Sequence, residues 1–238
     1  MAPLIQRAEP AASESNRLLS ALPPDDYRRL QTRLERVELP KHHVLHEADD
    51  VTKYAFFPLA GFVSLQAIGR DGTTVEVATV GRAGVVGLPI VFGPTGAPYA
   101  AIVEIPGPAL RLHADTLLTE FRRCQSVQLL LLRYARVLMM QIAQSVVCHQ
   151  FHSVAQRLSR WLLTARDHAT NDTLDVTQEL IAGVIGVPRT CVSKAAADLQ
   201  AADIIRIRHG HITILNASRL QAASCECYAI VRAAIHWP

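Results

Sequence analysis

TQELIAGVIGVPRTCVSK, Thr177–Lys194, has the spacing of two short helices joined by a tight turn. Ile181, Ile185, Val187 and Val192 fall where two steeply crossing helices bury one another, and Ala182 leaves room at the crossing. Gly186 takes the turn position, which needs a positive φ that only glycine adopts without strain. Thr177 is placed to cap the first helix, Glu179 to face the positive end of its dipole, and Pro188 to open the second helix at its first position. Arg189, Thr190, Ser193 and Lys194 then gather near the start of that second helix. Such a set can reach base edges and phosphates in a major groove.

The pattern continues beyond the helices. Ile204–Arg208 and His211–Leu215 flank the turn His209-Gly210 and read as a β-hairpin wing carrying Arg206 and Arg208. An ordinary helical hairpin on a small sheet would share the apolar spacing. It would have no need of a basic helix face and a basic wing together, so the combination favours DNA binding. Thr177, Arg189, Thr190, Ser193, Lys194, Arg206, Arg208 and His209 are the candidate DNA-contacting residues.

The charge distribution agrees. The 238 residues carry a net charge of +3, half of them are hydrophobic and 19% are charged. Residues 1–151 hold 15 Lys/Arg against 14 Asp/Glu, whereas Arg189–Arg219 holds five basic residues against two acidic ones. The excess lies where phosphates would be met. The longest apolar run, near Leu129–Leu132, is too short to cross a bilayer and is followed by Arg133 and Arg136. No apolar signal core stands at the N-terminus, and no membrane partner is expected. The five cysteines have no framework spacing, which fits a reducing compartment and a cytoplasmic location.

Ahead of the motif the character of the chain changes twice. Residues 1–15 are rich in Ala, Pro, Ser and Glu and read as disordered. Asn16–Arg36 reads as helical, interrupted by Pro23-Pro24. From Val37 to about Leu112 come short β-prone runs: Val44-Leu45, Tyr54–Phe57, Phe62–Ile68, Thr74–Val80, Val85–Leu88 and Ala101–Ile105. Gly69–Gly72 is a hairpin turn between two of them. This pace predicts a small antiparallel barrel or jelly roll; an open sheet is the alternative, with edges that need covering. Asp115 starts a long helical region in which Leu132, Ala135, Met139, Ile142 and Val146 recur at spacings of three and four. That stripe is a candidate dimer interface, with a core helix inside one subunit as the alternative. Phe151–Ala169 reads as a further helix with Val154, Leu158, Trp161, Leu162 and Ala165 inward, and Leu220–Ile235 as a helix-like tail.

A β-roll, a long dimer-type helix and a C-terminal winged helix, in that order, resemble the CRP/FNR superfamily of bacterial transcription regulators over about Leu18–Leu220. TQELIAGVIGVPRTCVSK and ADIIRIRHGHITILN are the most specific stretches, and FFPLAGFVSLQAIGRDGTTVEVATVGRAGVVGLP is similar to the superfamily's sensor domain. The resemblance implies an α+β fold: an antiparallel, cyclic-nucleotide-binding-like β-roll over 16–114, a dimerisation helix over 115–150 and a winged helix-turn-helix over 151–238. It further implies a homodimer on near-palindromic promoter operators, not an enzyme, with RNA polymerase and an unnamed small-molecule effector as candidate partners. Arg189 matches the arginine that opens the family's recognition helix, Lys194 a later basic position and Ser193 a small contacting residue. Thr190 stands where relatives often carry a glutamate that reads cytosine. Cyclic-nucleotide binders hold the phosphate with an Arg-Ser or Arg-Thr pair and the ribose with a glutamate. The matching stretch here, Gly84–Gly87 through Gly96–Ala100, has neither Arg nor Glu, so no response to cyclic AMP is expected. Cysteine before Cys124, which the iron–sulfur members use, is absent from the sequence.

Other chemistry finds less support. No glycine-rich phosphate loop, nucleophile elbow or usefully paired carboxylates occur. His42, His43 and His46 cluster near a strand start, where alternation puts neighbours on opposite faces. Cys148 and His152 are four apart and share a helix face, and Cys225-Glu226-Cys227 is a C-x-C pair, so chelation is geometrically open. Cysteine is more often a buried small hydrophobe, so no metal and no cofactor are expected. A redox- or metal-responsive regulator using Cys148, Cys225 and Cys227 stands as one alternative function. A protein-interaction module without DNA binding is the other.

Overall fold

The computed structural model describes residues 15–93, 96–169, 172–208 and 210–235. The tail expected to be disordered lies outside them, except for Ser15, and so does His209. The chain divides into two compact units, one formed chiefly by residues up to Leu65 with Thr79–Met139, the other by Gln66–Ala78 with Met140–Ala234.

The first unit opens with α1 (Arg17–Ser20) and α2 (Pro24–Gln31). Asn16 anchors them. Its buried side-chain oxygen accepts from the Leu19 amide at 3.1 Å, and its amide donates to the carbonyls of Pro58 and Gly84 at 3.0 Å each. The helical reading of residues 16–36 needs correction at its end, because β1 (Glu35–Leu39) has already begun. Val37 and Leu39 face inward with exposed Glu38 between them, a period of two that a helix cannot satisfy.

β1 pairs with β7 (Gly107–His113), which also pairs with β3 (Tyr54–Pro58), both antiparallel. β2 (Val44–His46), β6 (Ala100–Ile105), β4 (Phe62–Ile68) and β5 (Thr74–Val80) form a second sheet in that order. The Gly69–Gly72 turn sits between β4 and β5 as expected, with Gly72 at φ 81. The expected strand Val85–Leu88 does not form. Val86 makes a lone antiparallel bridge to Phe56, then Gly87 at φ 97 turns the chain into a 3₁₀ helix, Leu88–Phe92. Gly87 favours this break through its freedom at positive φ, and Pro89 through its missing amide.

α3 (Ala114–Arg123) and α4 (Gln125–Phe151) follow, separated at Cys124 by extended backbone. In the first half of α4, Val127, Leu130, Leu131, Tyr134, Val137 and Leu138 are buried. Gly84 is required there: a Cβ on it would lie 2.5 Å from the Tyr134 hydroxyl. By length and apolar content α4 could cross a bilayer, yet 44% of its most apolar window is packed inside the protein.

In the second unit α5 (Val154–His168) starts at a capping box formed by Ser153 and Gln156. Leu158, Trp161, Leu162 and Ala165 fill its core as expected, while Val154 is only half-buried. Then come β8 (Thr173–Asp175), α6 (Gln178–Ile185), α7 (Arg189–Ala201), β9 (Ile205–Arg208) and β10 (His211–Ile214), the strands ordered β8-β10-β9. The C-terminal tail is two helices, α8 (Ala217–Ala223) and α9 (Cys227–Ile235), rather than one.

Candidate nucleic-acid interface

α6 and α7 meet at 113°. Ile181, Ala182, Ile185, Val192 and Ala196 are buried at the crossing, whereas Val187, expected there too, is only half-buried because it lies in the turn itself. The turn is built as its residues dictate. Thr177 Oγ1 accepts from the Leu180 amide at 3.2 Å, and Gly186 closes α6 in the left-handed conformation (φ 61, ψ 50). The Val187 amide reaches back to the Ala182 carbonyl at 3.1 Å. Pro188 lies one residue earlier than expected, at the N-cap of α7. A further support was invisible in the sequence. Arg157 of α5 is buried and donates to the Ile185 carbonyl, satisfying a helix end that would otherwise lack a partner.

Arg189, Thr190 and Lys194 are exposed on α7. Arg189 lies 3.7 Å from the Glu179 carboxylate, with both side chains largely in solvent. Ser193 is placed differently from its neighbours. Half-buried, it donates to Gln178 Oε1 at 2.6 Å and fastens α7 to α6. Arg206 and Arg208 alternate outward on β9 while Ile205, Ile212 and Ile214 are buried, so the wing shows a basic face to solvent. Gln200 Oε1 accepts from the Ile207 amide at 2.8 Å and ties the wing to α7.

The expected dimer stripe divides along α4. Leu132, Met139 and Val146, seven apart, are 47%, 64% and 66% exposed, whereas Ala135 is buried by its own chain and Ile142 is half-buried. Exposed Leu129 and Ala143 lie on the outer side instead. Two groups that sequence reading held apart from the interface are also placed: Cys148, Cys225 and Cys227 form one buried cluster, and His46 of the histidine group is buried while His42 is exposed.

Residues 156–223, from α5 through α8, match the family model of the Crp-like helix-turn-helix domain. The chain carries a Crp-like helix-turn-helix domain within a CRP/FNR-type fold. Among solved structures, FixK2 from Bradyrhizobium japonicum shares that fold with a TM-score of 0.68 at 17% identity, over 81% of this chain and 98% of that one. A CRP/FNR-family transcriptional regulator from Thermus thermophilus gives 0.65 at 19% identity, over 80% and 98%. The c-di-GMP-responsive global regulator CLP of Xanthomonas campestris gives 0.64 at 15%, over 81% and 99%. No curated protein matches by sequence. The β-roll, the long helix and the winged helix-turn-helix expected from the sequence are all present, and the fold is shared with these structures.

Proposed function

We propose that the chain is a sequence-specific DNA-binding transcription regulator that acts as a homodimer on near-palindromic operators. One observation carries the reading: Arg189, Thr190 and Lys194 at the start of α7 and Arg206 and Arg208 on β9 are all solvent-exposed on a helix-turn-helix and wing. Arg189 and Thr190 suit base edges, and the remaining cations suit phosphates. Ser193 serves this arrangement by positioning α7 through Gln178. The exposed heptad of Leu132, Met139 and Val146 supports pairing of two copies through α4. Two-fold pairing presents two recognition helices to successive major grooves, about 34 Å apart.

Selection of bound sequences from random DNA, followed by gel shifts at two salt concentrations, tests the reading. A two-fold symmetric site whose affinity falls steeply with salt is the expected result. Weak, salt-insensitive retention without a selected site would favour a protein-interaction module instead.

A further inference from the structure

The buried sulfurs of the second unit lie in an arrangement that core packing does not require. Cys148 sits in the last turn of α4 and His152 one residue beyond that helix; Cys225 and Cys227 flank the start of α9. Cys148 Sγ is 3.6 Å from Cys225 Sγ, and Cys227 Sγ is 3.4 Å from His152 Nδ1. The four donor atoms all lie within 4.8 Å of one another. Bonds of about 2.3 Å to sulfur and about 2.0–2.1 Å to nitrogen, directed to the corners of a tetrahedron, give edges of roughly 3.8 Å (S–S) and 3.5 Å (S–N). These two donor pairs match those edges closely.

We propose that Cys148, His152, Cys225 and Cys227 form a tetrahedral three-sulfur, one-nitrogen metal site, for which Zn²⁺ is the fitting ion.

The surroundings are those of a ligand set. His152 presents Nδ1 to the sulfurs, and its Nε2 lies 3.2 Å from the Glu226 carboxylate, which would fix the tautomer and turn the ring inward. Gln144 Nε2 donates to Cys227 Sγ at 3.1 Å, an outer contact suited to a thiolate. Three thiolates and Zn²⁺ leave one net negative charge, and the guanidiniums of Arg157 and Arg160 on α5 act electrostatically on Cys148. Three sulfurs and an imidazole select a borderline or soft ion over Mg²⁺ or Ca²⁺. The donors leave room for a single ion. With all four positions filled by protein the site is a closed, structural one, linking the end of α4 to the start of α9. This inference is independent of DNA binding, because its test reads the metal alone.

The full-length protein, stripped of metal under reducing, oxygen-free conditions, is titrated with Co²⁺ and then with Zn²⁺. The expected result is one Co²⁺ per chain, with the intense visible bands of tetrahedral cobalt and a near-ultraviolet thiolate charge-transfer band, both abolished by one equivalent of Zn²⁺. Cys225→Ser and His152→Ala should lose the spectrum, whereas Cys124→Ser and Cys191→Ser should keep it. Glu226→Gln retains all four ligands and covers the case in which a ligand variant misfolds; its Zn²⁺ affinity, measured against a chromophoric chelator, should fall about 10–100-fold. His152→Cys should restore a tetrahedral spectrum as a four-sulfur site. The weak bands of octahedral cobalt, or binding undiminished in Cys225→Ser, would each overturn the proposal.

Discussion

Arg189 stands in the first turn of α7 with the Glu179 carboxylate 3.7 Å away, an exposed pair that water screens strongly. DNA can therefore displace Glu179 at little cost. Arg189→Ala is expected to weaken binding to a selected operator by about 1–3 kcal/mol and to relax preference at one base pair per half-site. Fluorescence anisotropy on the matched and the singly mismatched operators measures both effects; unchanged affinity would remove Arg189 from the interface. Asn16 bears on stability instead. Asn16→Ala strips a partner from the Pro58 and Gly84 carbonyls and removes the cap of α1, so denaturant unfolding should show a loss of about 1–3 kcal/mol. The residue types of the interface were legible because turn glycine, cap and basic helix start are local signals. The pairing of Ser193 with Gln178 and of Arg157 with the Ile185 carbonyl was not, because these partners are 15 and 28 residues apart and meet only once the helices cross.

At the scale of elements, α4 shows how far periodicity alone reaches. Apolar residues surround much of this helix, so a stripe can be drawn through several adjacent faces, and the one through Ala135 and Ile142 mixes an inward face with an outward one. Burial separates them. Leu131, Tyr134, Ala135 and Leu138 are already covered by the chain, while Leu132, Met139 and Val146 are not. Met139→Glu, at the centre of the exposed heptad, should place like charges against each other across the proposed two-fold axis and convert the proposed dimer to monomer at micromolar concentration. Its unfolding midpoint as a monomer should be nearly unchanged, since the wild-type side chain is 64% exposed. Sedimentation velocity distinguishes the species, and an intact dimer would move the interface away from α4. Strand signals were less legible where proline and glycine accumulate. Pro106-Gly107-Pro108 hid β7, although Gly107 and Pro108 pair with Leu39 and Glu38 at the end of β1.

At the scale of the whole molecule, the residues of the β-roll bear on whether it can bind a cyclic nucleotide. Cyclic-nucleotide recognition requires a cation and backbone amides around a desolvated phosphate. Gly84–Gly87 and Gly96–Ala100 supply no cation, and Arg82, just ahead of them, is exposed. The side chains that would surround a ligand are packed already: Val85, Val86, Leu88, Tyr99, Ala100 and Val103 are buried, and Ile102 is half-buried. His46, whose ring lies 5.9 Å from that of Tyr99, does not substitute for the missing arginine, since burial lowers its pKa and favours the neutral ring. Placing a phosphate monoanion here without a paired cation would cost several kcal/mol, more than purine stacking returns. Calorimetric titration of cyclic AMP and of cyclic GMP into the full-length protein should therefore give no saturable heat up to millimolar ligand, and neither nucleotide should shift the operator titration curve. Saturable micromolar binding of either one, coupled to tighter operator binding, would mean that the roll opens to a pocket lined by other residues and that its packed interior is one of two states.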